Sequence, residues 1–244
     1  MNVKGKIAII TGSTGKLGSK IALAIARAGA DCVFHYNNNE SLANELYEKA
    51  KSFGQKAITV GADLSNAEGI EKLFAASANF GVPAVLINSA SIFKKQKLSD
   101  ISFAQARETF DINLSSPIAI SSCFATMVRA KGPGQTAKII NIADIAAERP
   151  WAQYCLYCAS KAGLVAATKA MAKELAPDIL VNAVSPGLID LPETFDDKEK
   201  THQVSMIPLA RQGSAEDIVS AINFLIENDY VTGQVINIDG GRSI

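Results

Sequence analysis

Short apolar runs alternate along the chain with longer segments whose apolar positions recur every three or four residues. The runs Lys6–Ile10, Asp31–His35, Lys56–Val60, Ala84–Asn88, Ala137–Ile142, Leu180–Val184 and Gln234–Ile238 have strand length and predict seven β-strands. Between them, Leu17–Ala28, Glu40–Phe53, Ala67–Ala78, Phe103–Leu114, Pro117–Lys131, Tyr154–Leu175 and Ala215–Glu227 carry the helical period. Parallel strands joined by right-handed helical crossovers satisfy such an alternation. The expected fold class is therefore α/β, a doubly wound parallel sheet with helices on both faces. Residues 1–244 are expected to form one domain, since no repeat, low-complexity tract or linker-like shift interrupts them. The stretch Leu188–Gly213, with Pro192, Asp196, Asp197, His202 and Pro208, shows no period. It follows the carboxyl end of a strand, where open α/β sheets bind ligands, and is assigned to a substrate-closing loop over about 188–213.

Composition removes several partners. With 24 Lys and Arg against 24 Asp and Glu, the formal net charge is +0, which gives no attraction to nucleic acid. No run approaches the roughly 20 apolar residues that span a bilayer, so no membrane partner is expected, and the start of the chain lacks a signal-peptide layout. Four scattered cysteines fit a reducing compartment, and the expected location is cytoplasmic. Cys155 and Cys158 form a C-x-x-C pair without a second ligand pair, and His35 and His202 lack ligand spacing, so no metal site is expected. The run Glu193, Asp196, Asp197, Lys198, Glu199 and Lys200 reads as a solvated face, and His202 as a surface residue.

Candidate chemistry begins after the first strand. Thr11-Gly12-Ser13-Thr14-Gly15-Lys16-Leu17-Gly18 closes a strand and opens a helix, the setting in which a glycine-rich turn brings backbone against a pyrophosphate at a helix N-terminus. The second strand runs into His35-Tyr36-Asn37 without the acidic residue that usually binds the ribose of NAD. A 2′-phosphate there meets no negative charge, and Lys16 supplies a cation, so NADPH is the expected cofactor. Further along, Tyr157 and Lys161 lie four apart, on one helix face. Asp144 precedes Tyr157 by thirteen residues at the end of the strand-like run Ala137–Ile142, so a carboxylate, a phenol and an amine are expected to converge.

Together these residues resemble the short-chain dehydrogenase/reductase family over essentially the whole chain. The other markers of the resemblance are Asp63-Leu64, Asn88-Ser89-Ala90, Asn113, Pro186-Gly187 and Asp239-Gly240-Gly241. The resemblance implies a single Rossmann-type, NAD(P)-dependent oxidoreductase domain, usually a homotetramer meeting through Pro117–Lys131 and Tyr154–Leu175. It implies that Asp63 contacts adenine, that Asn88 and Ala90 pass their backbone beside the cofactor, and that Ile189 meets the nicotinamide carboxamide. Tyr157 would donate the proton. Lys161 would hold the nicotinamide ribose and lower the tyrosine pKa, since a nearby cation favours phenolate. Asn113 would hold a water in the proton path.

Three departures narrow the resemblance. Lys16 stands where most members have glycine, and Asp144 where most have serine; both are similar to the pteridine reductase and dihydromonapterin reductase branch. Ser91-Ile92-Phe93 is similar to that branch's serine and aromatic that hold the pterin ring. A carboxylate is a poor partner for a carbonyl oxygen that becomes an oxyanion. At about 4 Å and an effective dielectric near 20, the like charges repel by roughly 4 kcal/mol, about three decades in rate. A pterin reverses the sign, because its 2-amino-4-oxo ring offers N–H donors to a carboxylate. The expected substrate is a small pterin-like or folate-like molecule held by Lys16, Ser91, Phe93, Asp144 and Tyr157, with Phe93 stacked on one ring face. A carbonyl reductase, such as a 3-oxoacyl-carrier-protein or sugar reductase, and a non-catalytic NADP-binding regulator remain as alternatives. Asp144 as a turn cap and Phe93 as plain core are the competing structural roles.

Overall fold

The computed structural model describes residues 1–132, 136–191 and 196–244. The strands are β1 (Ile7–Thr11), β2 (Asp31–Tyr36), β3 (Ala57–Gly61), β4 (Val85–Asn88), β5 (Ala137–Ile142), β6 (Ile179–Pro186) and β7 (Val235–Ile238). The helices are α1 (Lys16–Arg27), α2 (Glu40–Ser52), α3 (Ala67–Phe80), α4 (Phe103–Phe110), α5 (Ser116–Ala130), α6 (Cys155–Leu175), α7 (Asp197–Ser205) and α8 (Ala215–Glu227). All seven strands pair in parallel in the order β3-β2-β1-β4-β5-β6-β7, as the alternation predicted.

Strand alternation builds a core on each face of the sheet. Ala8, Ile10, Phe34, Ile87, Ile140 and Val184 pack with Ile21 and Ile25 of α1 and Ile218 and Ile222 of α8. Their neighbours Ile9, Val33, Leu86, Ile139 and Val181 turn the other way, onto Leu73 of α3, Phe124 of α5 and Leu175 of α6. Each fully buried aliphatic side chain contributes about 1.5–3 kcal/mol relative to exposure, so a strand apolar on both faces is stable only between two helical layers. Lys138 is a charged exception inside β5. Its stem is fully buried, and its ammonium reaches the end of α8, at 2.7 Å from both the Asn228 carbonyl and an Asp229 carboxylate oxygen.

Two expectations change here. The segment Phe103–Leu114 is not one α-helix: α4 stops at Phe110, and a π-helical turn over Asp111–Ser115 leads directly into α5. Pro117 has no N–H to give the Asn113 carbonyl four residues earlier, and its ring crowds that oxygen. The turn widens, and the Ser116 N–H bonds to Asp111 instead. The stretch 188–213 is also not wholly irregular, because it contains α7. Asp196 and Glu199 cap that helix reciprocally, each side chain accepting from the other's backbone N–H at 2.8 and 2.9 Å. This capping box stood within the run read as a solvated face. Pro192 and Glu193 lie outside the described residues.

The strand order reverses beside β1, between β1 and β4. Register places Thr11 beside Asn88 and Asn88 beside Asn141 at the carboxyl edge. Ligands of open α/β sheets bind at such a switch point, and the residues described next collect there.

Candidate active site

Asp144 follows β5, and the first turns of α6 carry Tyr157 and Lys161 toward it. One carboxylate oxygen of Asp144 accepts the Ala146 N–H at 2.8 Å and caps the 3₁₀ turn Ile145–Ala147. The other accepts the Tyr157 hydroxyl at 2.7 Å. The cap role and the site role are thus divided between the two oxygens of one residue. Lys161 is buried and donates to the Ile142 carbonyl at 2.8 Å, with its ammonium 5.7 Å from the centre of the Tyr157 ring. The convergence of the three groups is what the spacing predicted.

Their electrostatics differ from the expectation that Lys161 lowers the Tyr157 pKa. Burial, and then the Asp144 charge and hydrogen bond, raise it well above the ordinary phenol value. Burial also raises Asp144, against the opposing pull of the Ala146 N–H, Tyr157, Lys161 and Arg242. Lys161 is brought down to about 8 by burial, partly offset by Asp144. A phenol is intrinsically far less acidic than a carboxyl, so the shared proton resides on Tyr157 and points at Asp144. Adding a second proton, on Asp144, is easier than for a solvated aspartate.

Asn113 sits on the π-helical turn, a distortion found often at functional sites. Its side chain donates to the Ile92 carbonyl at 3.0 Å and to Ser160 Oγ at 3.1 Å. Its oxygen accepts from the Ile92 N–H at 2.8 Å and from Ser91 Oγ at 3.1 Å. All its side-chain capacity is spent on protein partners. The amide expected to hold a water is instead a clamp that fixes Ser91 and Ile92. The Ser91 proton is likewise committed to Asn113, which leaves only its oxygen lone pairs for a ligand.

The clamp sets Phe93, which is 55% exposed and is therefore not plain core. Its ring stacks on Tyr154 at 4.6 Å and 13°, and meets the edge of Tyr157 at 4.7 Å and 78°. Trp151 meets both Phe93 and Tyr154 edge-on. A planar ligand cannot enter between Phe93 and Tyr154, which would need roughly 7 Å, two contact distances of about 3.5 Å. It can use only the other face of Phe93. Tyr154→Ala is expected to raise substrate KM about tenfold, the loss of one aromatic pair of about 0.5–1.5 kcal/mol, with NADPH affinity unchanged in a fluorescence titration.

The glycine loop runs from β1 into α1. A Cβ on Gly12 would stand 2.7 Å from Ala90 Cα, and one on Gly18 would stand 2.2 Å from the Gly12 carbonyl, so backbone packs where side chains cannot. Gly15 caps α1 without a side-chain bond, and the first turn holds no acidic residue, which leaves the positive helix end open beside the exposed Lys16. Thr11 Oγ1 accepts the Ser89 and Ala90 N–H groups at 3.1 and 3.2 Å and ties this loop to the end of β4. Leu17 and Leu64 pack against the core. His35 has a different place from the one expected. It is buried beneath the loop, taking the Gly12 N–H on Nδ1 at 3.0 Å and facing the Ala62 carbonyl with Nε2 at 2.9 Å. Burial lowers its pKa, and neither nitrogen remains for a cofactor.

Beside the loop, Tyr36, Asn37, Asp63, Asn66, Glu68 and Lys72 line a cleft of about 440 Å³. Asp63 is exposed, and one of its oxygens accepts the Ser65 N–H at 2.9 Å. The cleft is less free of negative charge than the run His35-Tyr36-Asn37 suggested. Glu40 acts on the Tyr36 hydroxyl, and Glu68 lines the cleft one turn before Lys72 on α3. On the far side, Asn88 is buried and donates to Asn141 at 2.9 Å and Ser121 at 3.2 Å. Pro186 ends β6, Gly187 bonds the Ile238 carbonyl at 3.0 Å, and the Ile189 carbonyl accepts from Gln212. Among the described residues no His, Cys, Asp and Glu cluster could hold a metal, and no helix is long and apolar enough to cross a membrane. The Cys158 sulfur takes the Trp151 N–H at 3.4 Å and packs under the aromatic wall.

The family model described as Enoyl-(Acyl carrier protein) reductase matches residues 13–243. The chain belongs to the short-chain dehydrogenase/reductase family. Among its curated relatives, the 3-oxoacyl-[acyl-carrier-protein] reductase of Aquifex aeolicus is 31% identical over 248 residues, covering 99% of this chain and 98% of the relative. Among solved members, the alternative dihydrofolate reductase 1 from Brucella canis, complexed with NADP, superposes with a TM-score of 0.91 at 27% identity, covering 99% of this chain and 95% of that one. A blue fluorescent protein from a metagenomic library, in complex with NADPH, has a TM-score of 0.90 at 28% identity over 100% of both chains.

Sequence reasoning missed Trp151, Tyr154, Arg242 and Gln203. The first two carried only a compositional signal, three aromatics (Trp151, Tyr154 and Tyr157) gathered around the start of α6. Arg242 and Gln203 carried none, because a turn after β7 and the separate helix α7 bring them together only in the folded chain.

Proposed function

We propose that this protein is an NADPH-dependent reductase of a dihydropterin or dihydrofolate-type ring. The single observation behind this reading is the 2.7 Å hydrogen bond from the Tyr157 hydroxyl to Asp144. In a carbonyl reductase both groups must donate to the developing oxyanion, and here one of them is a carboxylate that accepts the other's hydrogen bond.

The glycine cradle, the uncapped start of α1 and the exposed Lys16 suit a dinucleotide with an added phosphate. The NADP and NADPH complexes of the structural neighbours support that choice. When bound, the cofactor supplies the hydride, delivered to the carbon of a ring C=N bond. The chain's own groups handle position and protons. The open face of Phe93 carries the ring. Asp144 accepts N–H donors from its amidine edge, in competition with Tyr157, and this frees the phenol proton to turn toward the ring nitrogen that becomes N–H. One proton leaves Tyr157 for each hydride accepted, and solvent restores it. Lys161 keeps two N–H donors beyond the one given to Ile142, for ribose hydroxyls, and its charge stabilises the transient phenolate.

The names of the sequence relatives favour a second reading, reduction of a 3-oxoacyl thioester, and the same assay separates the two. Steady-state NADPH oxidation is expected with 7,8-dihydrofolate, dihydrobiopterin or dihydromonapterin, and kcat/KM for acetoacetyl thioesters or small ketones should be at least about 100-fold lower, a barrier difference near 2.7 kcal/mol. Efficient ketone turnover with no activity on the three pterins would overturn the proposal.

A further inference from the structure

The segment Trp151-Ala152-Gln153-Tyr154 contains no glycine, proline or asparagine, yet it makes a tight turn directly before α6. The Tyr154 N–H bonds back to the Trp151 carbonyl at 3.2 Å, and Gln153 has a φ of 68° while Ala152 stays outside the left-handed region. Positive φ at the third residue alone is the type II pattern, whose third place favours Gly or Asn. Among the described residues only Gln153 and Ala210 hold a left-handed backbone without being glycine. A side chain with a Cβ is crowded there, so the conformation persists only where its surroundings impose it. Here the loop after β4 does so: the Gln96 N–H donates to the Gln153 carbonyl at 2.7 Å. That loop is itself fixed, by the Asn113 clamp on Ser91 and Ile92 and by the Lys94 ammonium, 2.7 Å from both carboxylate oxygens of Glu108.

We propose that Gln153 is a positioning residue of the substrate platform and acts through its backbone: the left-handed turn aims its carbonyl at Gln96 and sets Tyr154 against Phe93, joining the loops after β4 and β5 into one wall. The two contacts that cross between the loops lie on either side of this residue, the Gln96 bond at its carbonyl and the stack of Phe93 on Tyr154 at 4.6 Å. Its own side chain is exposed and takes no part in either. Phe93 is 55% exposed, and without Tyr154 behind it the ring would be free to turn. Held in place, it loses less freedom when a planar ligand settles on its open face. Glycine or asparagine would supply the same turn with less strain, whereas a β-branched residue cannot keep it.

The part this wall plays in turnover rests on the proposed reduction of a planar ring, but its geometry can be read without substrate. Trp151 is the single tryptophan of the chain and meets both Phe93 and Tyr154 edge-on, so its fluorescence reports the wall. Gln153→Gly and Gln153→Asn are expected to keep the wild-type emission, and Gln153→Val to move it to longer wavelength as the wall opens to water. With 7,8-dihydrofolate, Gln153→Val is expected to raise KM about tenfold, as for Tyr154→Ala, with kcat within about threefold and NADPH affinity unchanged. The glycine and asparagine variants should keep the wild-type KM. Gln96→Pro removes the N–H at the other end of the bond; it should act as Gln153→Val does, and carries the test if that variant does not fold. Wild-type emission in Gln153→Val and Gln96→Pro would overturn the proposal, as would a shifted emission with an unchanged KM. An equal change in Gln153→Gly would also overturn it, by placing the effect in the side chain. Absence of pterin turnover in the unaltered protein would sink the substrate reading instead, and leave the emission series to decide this one.

Discussion

Tyr157→Phe is expected to lower kcat about 10³-fold, within the 10²–10⁴ that a positioned general acid contributes, while the NADPH dissociation constant stays within about threefold. The substitution is clean. Phenylalanine keeps the edge contact to Phe93 and removes only the hydroxyl whose proton points at Asp144. Stopped-flow single turnover would locate the loss in the chemical step, and a kcat within a few-fold of wild type would show that the proton comes from elsewhere. The residual rate should also lose any solvent isotope effect that belongs to phenol transfer. This result is common to the pterin and carbonyl readings, and it tests the proton donor alone.

The second large effect separates those readings. Asp144→Ser is expected to lower pterin kcat/KM about 100-fold, since a charge-assisted hydrogen bond to the ring is worth about 1.5–3 kcal/mol. Serine retains an oxygen for the Ala146 N–H, so the 3₁₀ turn keeps its cap, which alanine would forfeit at a cost of about 0.5–2 kcal/mol. Ketone turnover should rise in the same variant, because up to roughly 4 kcal/mol of repulsion between a carboxylate and an oxyanion disappears. The pH profiles carry the sign. Burial raises the Asp144 pKa, so under the proposed mechanism wild-type pterin turnover, which would use the carboxylate, is expected to fall with decreasing pH at a value above the ordinary carboxyl range. The serine variant should lack that limb. Equal pterin turnover in the two proteins would remove Asp144 from the mechanism.

Much of the fold was legible because burial on both faces leaves a periodic trace. Six of the seven strands lie within about a residue of the apolar runs, and β6 is longer at both ends because Ile179, Ser185 and Pro186 extend its pairing. The misreadings have local causes. Pro117 acts on a carbonyl four residues away and turns an expected α-helical end into a π-helical turn. The Asp196 and Glu199 capping box looked like solvated charge because a cap and an exposed face use the same residue types.

For the site, the sequence by itself determined which chemical groups are present and that β5, α6 and the glycine loop carry them. Spacing of four on a helix and position at a strand's carboxyl end are local geometry, fixed wherever the chain folds. Tertiary structure decided what those groups do. It buried His35 under the loop it was expected to serve from outside, and it spent every hydrogen bond of Asn113 on holding Ser91 and Ile92. It closed one face of Phe93 with Tyr154 and joined Arg242, beyond the last strand, to Gln203 of α7. Most of all, it reversed the expected shift of Tyr157, because desolvation and the charge of a neighbour depend on distance and burial, which no spacing along the chain contains.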